Sequence, residues 1–318
     1  MSDDWMMDRA FAASSPFGVG MENTFAGALS LFRRRYTKDP AGADVAILGI
    51  PFDLAVSNRP GTRFGPRAIR AASAQLAWKG GAWRWGFDPF ARLHIVDTGD
   101  CEVDYAQPQW FPETLEARAT VLMNSGAKLL SLGGDHFVTY PLLKAHAARY
   151  GPLALVQFDS HSDTWRATEK GLNHGSMFFH AVQEGIIDPA RSVQVGIRSG
   201  NSETHGITIL DADYVADHSP AEIAARMREV VSEGPAYLTF DIDFLDPAYA
   251  PGTGTPVCGG PSTNTAERIL CGLSGLNVVG MDVVEVSPSY DVGEITALAG
   301  ATMALNMLCL WAEACGER

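Results

Sequence analysis

LALVQFDSHSD, residues 153–163, decides the fold. Leu153–Phe158 is a short run with little polar alternation, the pattern of a strand covered on both faces. It breaks at once into Asp159, His161 and Asp163. In open parallel sheets, ligands bind beyond the carboxyl ends of the strands. The same order, an apolar run and then acids or histidine, recurs three times. KLLSLGGDH (128–136) ends on His136, YLTFDID (237–243) on Asp241 and Asp243, and LNVVGMDVVE (276–285) on Glu285.

Outward from these segments, further apolar runs lie at Val45–Ile50, Leu93–Val96, Val193–Ile197 and Ile207–Leu210. Helix signals fall between the runs. Pro66 suits the first turn of a helix reaching to about Trp78, and a second helix follows Thr139. Ser219 with Glu222 reads as a capping box. The last helix is expected from about Glu294 to Ala314. Strands alternating with helices predict an α/β fold, a mainly parallel sheet between helix layers. Residues 1–40 read as an N-terminal arm and 41–318, with no linker or composition break, as one catalytic domain.

In extended backbone, residues i, i+2 and i+4 point to one side, so Asp159, His161 and Asp163 are expected to converge, as are Asp241 and Asp243. With His136 they form six potential ligands, four carboxylates and two imidazoles. That many carboxylates packed together require cations or protons. Two divalent metals satisfy the requirement. Oxygen donors dominate and no cysteine joins the set, which favours Mn²⁺, with Fe²⁺, Co²⁺ or Ni²⁺ as alternatives, over tetrahedral zinc. Such a pair activates water as a nucleophile at neutral pH.

The 318 residues carry 24 basic and 37 acidic side chains, a net charge of −13. This excludes a phosphate-binding face for nucleic acid and suits a small cationic substrate. No run of about 20 apolar residues suggests a membrane span, and the Met1–Trp5 start lacks the order of a signal peptide, so a cytoplasmic location is expected. The five cysteines form no C-x-x-C pair and read as reduced thiols.

PFDLAVSNRPGTRFGPRAIR (51–70), LGGDHFVTYPLL (132–143), FDSHSDTW (158–165), HGSMFFHAVQEGIIDP (174–189), LTFDIDFLDPAYAPGTGTPVCGG (238–260) and GMDVVEVSPSYD (280–291) together resemble the ureohydrolases, the family of agmatinases and arginases. The resemblance runs from about Asp44 to the end and is nearest to bacterial agmatinases. It implies a three-layer α/β/α sandwich around a sheet of about eight strands, two Mn²⁺ ions, and a homotrimer or homohexamer. It implies the same six metal ligands, His174 as a proton shuttle and Glu285 as the guanidinium anchor, with Asp163 taking a proton from water. The expected reaction is cleavage of agmatine to putrescine and urea, with 4-guanidinobutyrate as the alternative substrate. Trp165 stands where arginases read an α-carboxylate, which disfavours arginine, whereas Lys170 would suit an anionic tail. Ser160 replaces the family's usual alanine and, on the alternating pattern, is expected to point away from the metals.

Overall fold

The computed structural model describes residues 8–10, 22–78, 82–166, 171–201 and 203–316. Among them are nine strands: β1 (Arg35–Tyr36), β2 (Val45–Gly49), β3 (Ile95–Asp100), β4 (Lys128–Leu132), β5 (Ala154–Phe158), β6 (Val193–Ile197), β7 (Thr208–Asp211), β8 (Ala236–Asp241) and β9 (Val278–Val284). They form one all-parallel sheet in the order β1-β3-β2-β4-β9-β8-β5-β6-β7. The ninth strand is β1, two residues long and paired with β3, so the sheet starts at residue 35.

Helices cover both faces: α1 (Gly65–Ser73), α2 (Phe111–Asn124), α3 (Thr139–Tyr150), α4 (Met177–Gln183), α5 (Ala212–Asp217), α6 (Pro220–Val231), α7 (Thr263–Gly272) and α8 (Ile295–Glu313). Alternate strand residues feed two cores. Val45, Ile47, Val156 and Phe158 pack with Ile69 of α1, Met227 of α6, Ile269 of α7 and most of α8. Ala46, Leu48 and Leu155 pack on the other side with Leu115 of α2, Leu142 of α3 and Phe178 of α4. Full burial of each large apolar side chain contributes roughly 1.5–3 kcal/mol. The two cores make the three layers.

The expected caps are present. Ser219 and Glu222 form a reciprocal capping box at α6, and Pro66 sits in the first turn of α1. The helix from Pro66 ends earlier than expected, at Ser73, and tightens into a 3₁₀ turn at Ala74–Leu76. One reading from the sequence needs correction. α8 is long and apolar enough by composition to cross a membrane, but it is mostly buried and lies against β9 and α1 as a core helix.

For the site, the decisive feature is the sheet order. The four strands followed by acids or histidine, β4, β9, β8 and β5, are adjacent and parallel at the centre of the sheet. Their carboxyl ends therefore open on one side.

Candidate active site

All six expected metal ligands meet beyond these strand ends. His136 follows β4 and directs Nδ1 at three carboxylates: Asp159 Oδ2 at 2.9 Å, Asp163 Oδ2 at 3.0 Å and Asp241 Oδ2 at 3.2 Å. His161 Nδ1 lies 3.0 Å from Asp243 Oδ2 and 3.5 Å from Asp159 Oδ1. Asp159 thus belongs to two groups able to hold a metal, one with His136 and Asp241 and one with His161 and Asp243. It uses a different oxygen toward each.

The backbone brings them together by turns rather than by strand alternation. β5 ends at Phe158, and Asp163 has φ 51°, a left-handed conformation. Asp241 ends β8 and caps a 3₁₀ turn over Ile242–Phe244, its Oδ1 accepting from the Asp243 N–H at 2.8 Å. For the same reason Ser160 does not point away from the cluster, contrary to the alternating pattern. Its hydroxyl donates to Asp243 Oδ1 at 2.7 Å, and its backbone N–H approaches the same oxygen at 3.1 Å.

The donor set fits divalent cations. His136 Nε2 lies 2.8 Å from Thr239 Oγ1, and that hydroxyl gives its own proton to Asp282 Oδ1 at 2.5 Å. Nε2 must therefore carry the ring proton, which leaves a lone pair on Nδ1. Nδ1 is buried without a hydrogen-bond partner, facing three carboxylate oxygens. A lone pair set against anionic oxygens is repulsive unless a cation stands between them. The acid–base balance agrees. Burial and the Asp159 charge push Asp163 up to about 6, and burial with Asp243 and Asp159 pushes Asp241 well above the carboxylate range. Burial opposes a charge on His161, yet Asp243 and Asp159 outweigh it and push the imidazole up to about 12. Without metals, protons must supply the positive charge.

Glu285 directly follows β9 with φ 63°. Its Oε1 accepts from the His136 N–H at 2.9 Å and from His174 Nδ1 at 3.0 Å. Its Oε2 is buried without a partner, beside Gly254. A cavity of about 290 Å³ opens over the cluster, lined by Ser57, His161, Asp163, Trp165, Arg166 and His174 among others. Glu285 is not in that lining and stands behind His174. Trp165 is 37% exposed and forms part of the cavity wall. Lys170 lies outside the described residues.

Two influences on His174 oppose each other. Burial disfavours its charge, but Glu285 outweighs burial and pushes the ring up to about 9. The Ser57 backbone N–H, however, points at Nε2 from 2.9 Å. A second ring proton there would set one N–H against another, so the neutral ring with its proton on Nδ1 matches the geometry better.

The arginase family model matches residues 43–309. The chain belongs to the arginase family. An agmatinase of Chromobacterium violaceum is 52% identical over 313 residues, covering 98% of this chain and 97% of that protein. The crystal structure of a hypothetical agmatinase from Burkholderia thailandensis superposes with a TM-score of 0.92 at 51% identity, covering 97% and 98% of the two chains. Proclavaminate amidino hydrolase from Streptomyces clavuligerus follows with a TM-score of 0.87 at 36% identity, covering 92% of this chain and all of that one. The family inferred from the motifs is the one found. In this arginase-family chain the His and Asp side chains are positioned for a binuclear metal centre.

Two residues of the site were not singled out in the sequence. Ser57, in PFDLAVSNRPGTRFGP, touches His174 from 117 positions away. Asp282 accepts from Tyr237, Thr239 and Thr139 and so fixes the proton on His136 Nε2. The only signal available was an acid inside an otherwise apolar strand.

Proposed function

We propose that this chain hydrolyses agmatine to putrescine and urea. The observation that carries the reading is Asp159 shared between two His/Asp groups whose His136, His161 and Asp241 line a cavity, in a chain 52% identical to an agmatinase along nearly its whole length.

His136, Asp159, His161, Asp163, Asp241 and Asp243 would hold two divalent cations, Mn²⁺ by the oxygen-rich donor set. When bound, such a pair supplies Lewis acidity and lowers the pKa of water, so that a nucleophile exists at neutral pH. The chain's own residues do the rest. Glu285 lies outside the cavity lining with Oε1 on His174 and Oε2 buried without a partner, and would anchor the guanidinium by its negative charge. Asp163 faces the cavity and accepts the proton of the attacking water on a carboxylate oxygen. His174 lines the cavity with its Nδ1 proton held by Glu285, and is the imidazole placed to return the proton taken up by Asp163 to the leaving nitrogen. Trp165 flanks the alkyl tail. A cytoplasmic homotrimer or homohexamer completes the reading, on family resemblance.

A second substrate, 4-guanidinobutyrate, draws on one observation: Arg166 lines the cavity, so a cation stands where an anionic tail would end. Its guanidinium is paired with Glu203 at 2.9 Å, which favours agmatine. Urea release from agmatine, 4-guanidinobutyrate, 3-guanidinopropionate and arginine, with Mn²⁺ present, tests the choice. The highest kcat/KM belongs to agmatine; a higher value for 4-guanidinobutyrate overturns the assignment but leaves the chemistry in place.

A further inference from the structure

The loop between β2 and α1 reaches the cavity at Ser57, and its neighbours fix its position. The Ala55 N–H donates to Asp135 Oδ2 at 2.8 Å, and the Phe52 carbonyl accepts from the Asp135 N–H at 2.8 Å. The Asn58 side chain donates to the Gly254 carbonyl at 3.0 Å, and the Gly61 N–H donates to Asp53 at 2.8 Å.

Ser57 meets His174 Nε2 twice, with its backbone N–H at 2.9 Å and its Oγ at 2.8 Å. A backbone N–H can only donate, so Nε2 is an acceptor and carries no proton. The Ser57 hydroxyl can then approach that nitrogen only as a second donor. A serine hydroxyl has one proton and two lone pairs. With the proton committed to His174, the hydroxyl presents only lone pairs to the cavity that Ser57 lines.

We propose that Ser57 is a specificity-determining residue for the reaction proposed above, on which this inference rests: its hydroxyl, held by His174 as an acceptor alone, takes an N–H from the ammonium end of a cationic guanidino substrate and disfavours an anionic end. An ammonium brings only donors. A carboxylate brings only acceptors and would meet the hydroxyl lone pairs unpaired.

Ser57→Ala removes the hydroxyl but keeps the backbone N–H that holds His174, and Ser57→Thr keeps both. With the full-length, Mn²⁺-loaded enzyme, Ser57→Ala raises KM for agmatine roughly tenfold, the scale of a hydrogen bond to a charged group, with kcat within about twofold. Ser57→Thr restores KM, and the preference for agmatine over 4-guanidinobutyrate narrows in Ser57→Ala alone. Calorimetric titration of agmatine into metal-free wild type and metal-free Ser57→Ala reads the same contact without turnover. A wild type that releases no urea from any guanidino compound sinks the proposed function, whereas equal agmatine affinity in the two proteins overturns the role of Ser57. A fall in kcat at constant KM overturns it too, because Ser57 would then act on His174 and not on the substrate.

Discussion

Towards the edge of the sheet Arg70 neutralises buried acid, whereas at its centre no arginine or lysine among the described residues pairs with the carboxylates. Arg70, on α1, binds Asp97 through Nε and Nη2 at 2.8 and 2.9 Å and reaches Asp100 at 2.5 Å. Asp97 also accepts from the Leu31 and Gly99 backbone N–H groups, so its oxygens are fully used. Burial opposes the Arg70 charge, but Asp97 and Asp100 more than restore it. The central cluster gathers Asp159, Asp163, Asp241 and Asp243 around two imidazoles, with His136 Nδ1 left unpartnered. One network closes on itself and serves the fold. The other closes only with positive charge from outside the chain, which marks a site kept for function at a cost in stability.

The hardest test of this contrast is Asp241→Asn. We expect kcat/KM to fall at least ~10³-fold, on the scale of losing an essential group. The metal-free variant should unfold in denaturant no earlier than metal-free wild type, because Asn carries no charge at a position where burial and Asp243 already disfavour one. A loss of metal-free stability would instead make the cluster a structural network. Arg70→Met is the converse. It leaves Asp97 buried and unpaired, which costs about 3–5 kcal/mol of unfolding free energy. Its kcat/KM should stay within about twofold of wild type, and a large loss of activity would erase the distinction.

Smaller effects sharpen the boundary of the central site. Glu285→Gln should retain two metals per chain by elemental analysis while kcat/KM drops ~100-fold, the size of a charge-assisted contact made in the transition state. Loss of metal would make Glu285 a ligand. Ser160→Ala removes the hydroxyl on Asp243 and should weaken metal binding about tenfold in chelator-buffered titrations, since outer partners orient the ligands. Unchanged affinity would mean that its backbone N–H suffices.

The fold and the meeting of the six side chains were legible because both are written locally. A buried parallel strand is a short apolar run, and the acids stand directly after it, as at Phe158-Asp159 and Phe240-Asp241. What lay beyond the sequence has three physical causes. β1 has two residues, too few for any period to show. Ser160 was misplaced because Asp163 takes a left-handed φ and Asp241 opens a 3₁₀ turn, and side-chain alternation holds only while the backbone stays extended. The contacts of Ser57 with His174 and of Asp282 with Thr239 span 117 and 43 positions, and only the packed chain creates them. Glu285 was placed correctly at its strand end, but its position behind His174, outside the cavity lining, depends on that same packing.

Gly133 and Gly134 bear no chemistry, yet they limit how this cavity can be reshaped. A Cβ on Gly134 would overlap the Phe52 carbonyl, and one on Gly133 would press into Val284. At Gly134 main chain rests on main chain, with no side chain left to trim. An engineer seeking room for a bulkier guanidino compound would gain nothing there, and any added atom would push the loop that carries Ser57 away from His174. Space is better sought at Trp165, which lines the cavity and is already partly exposed. Substrate range in this scaffold can therefore be altered from one direction, and laboratory evolution would concentrate its accepted changes there.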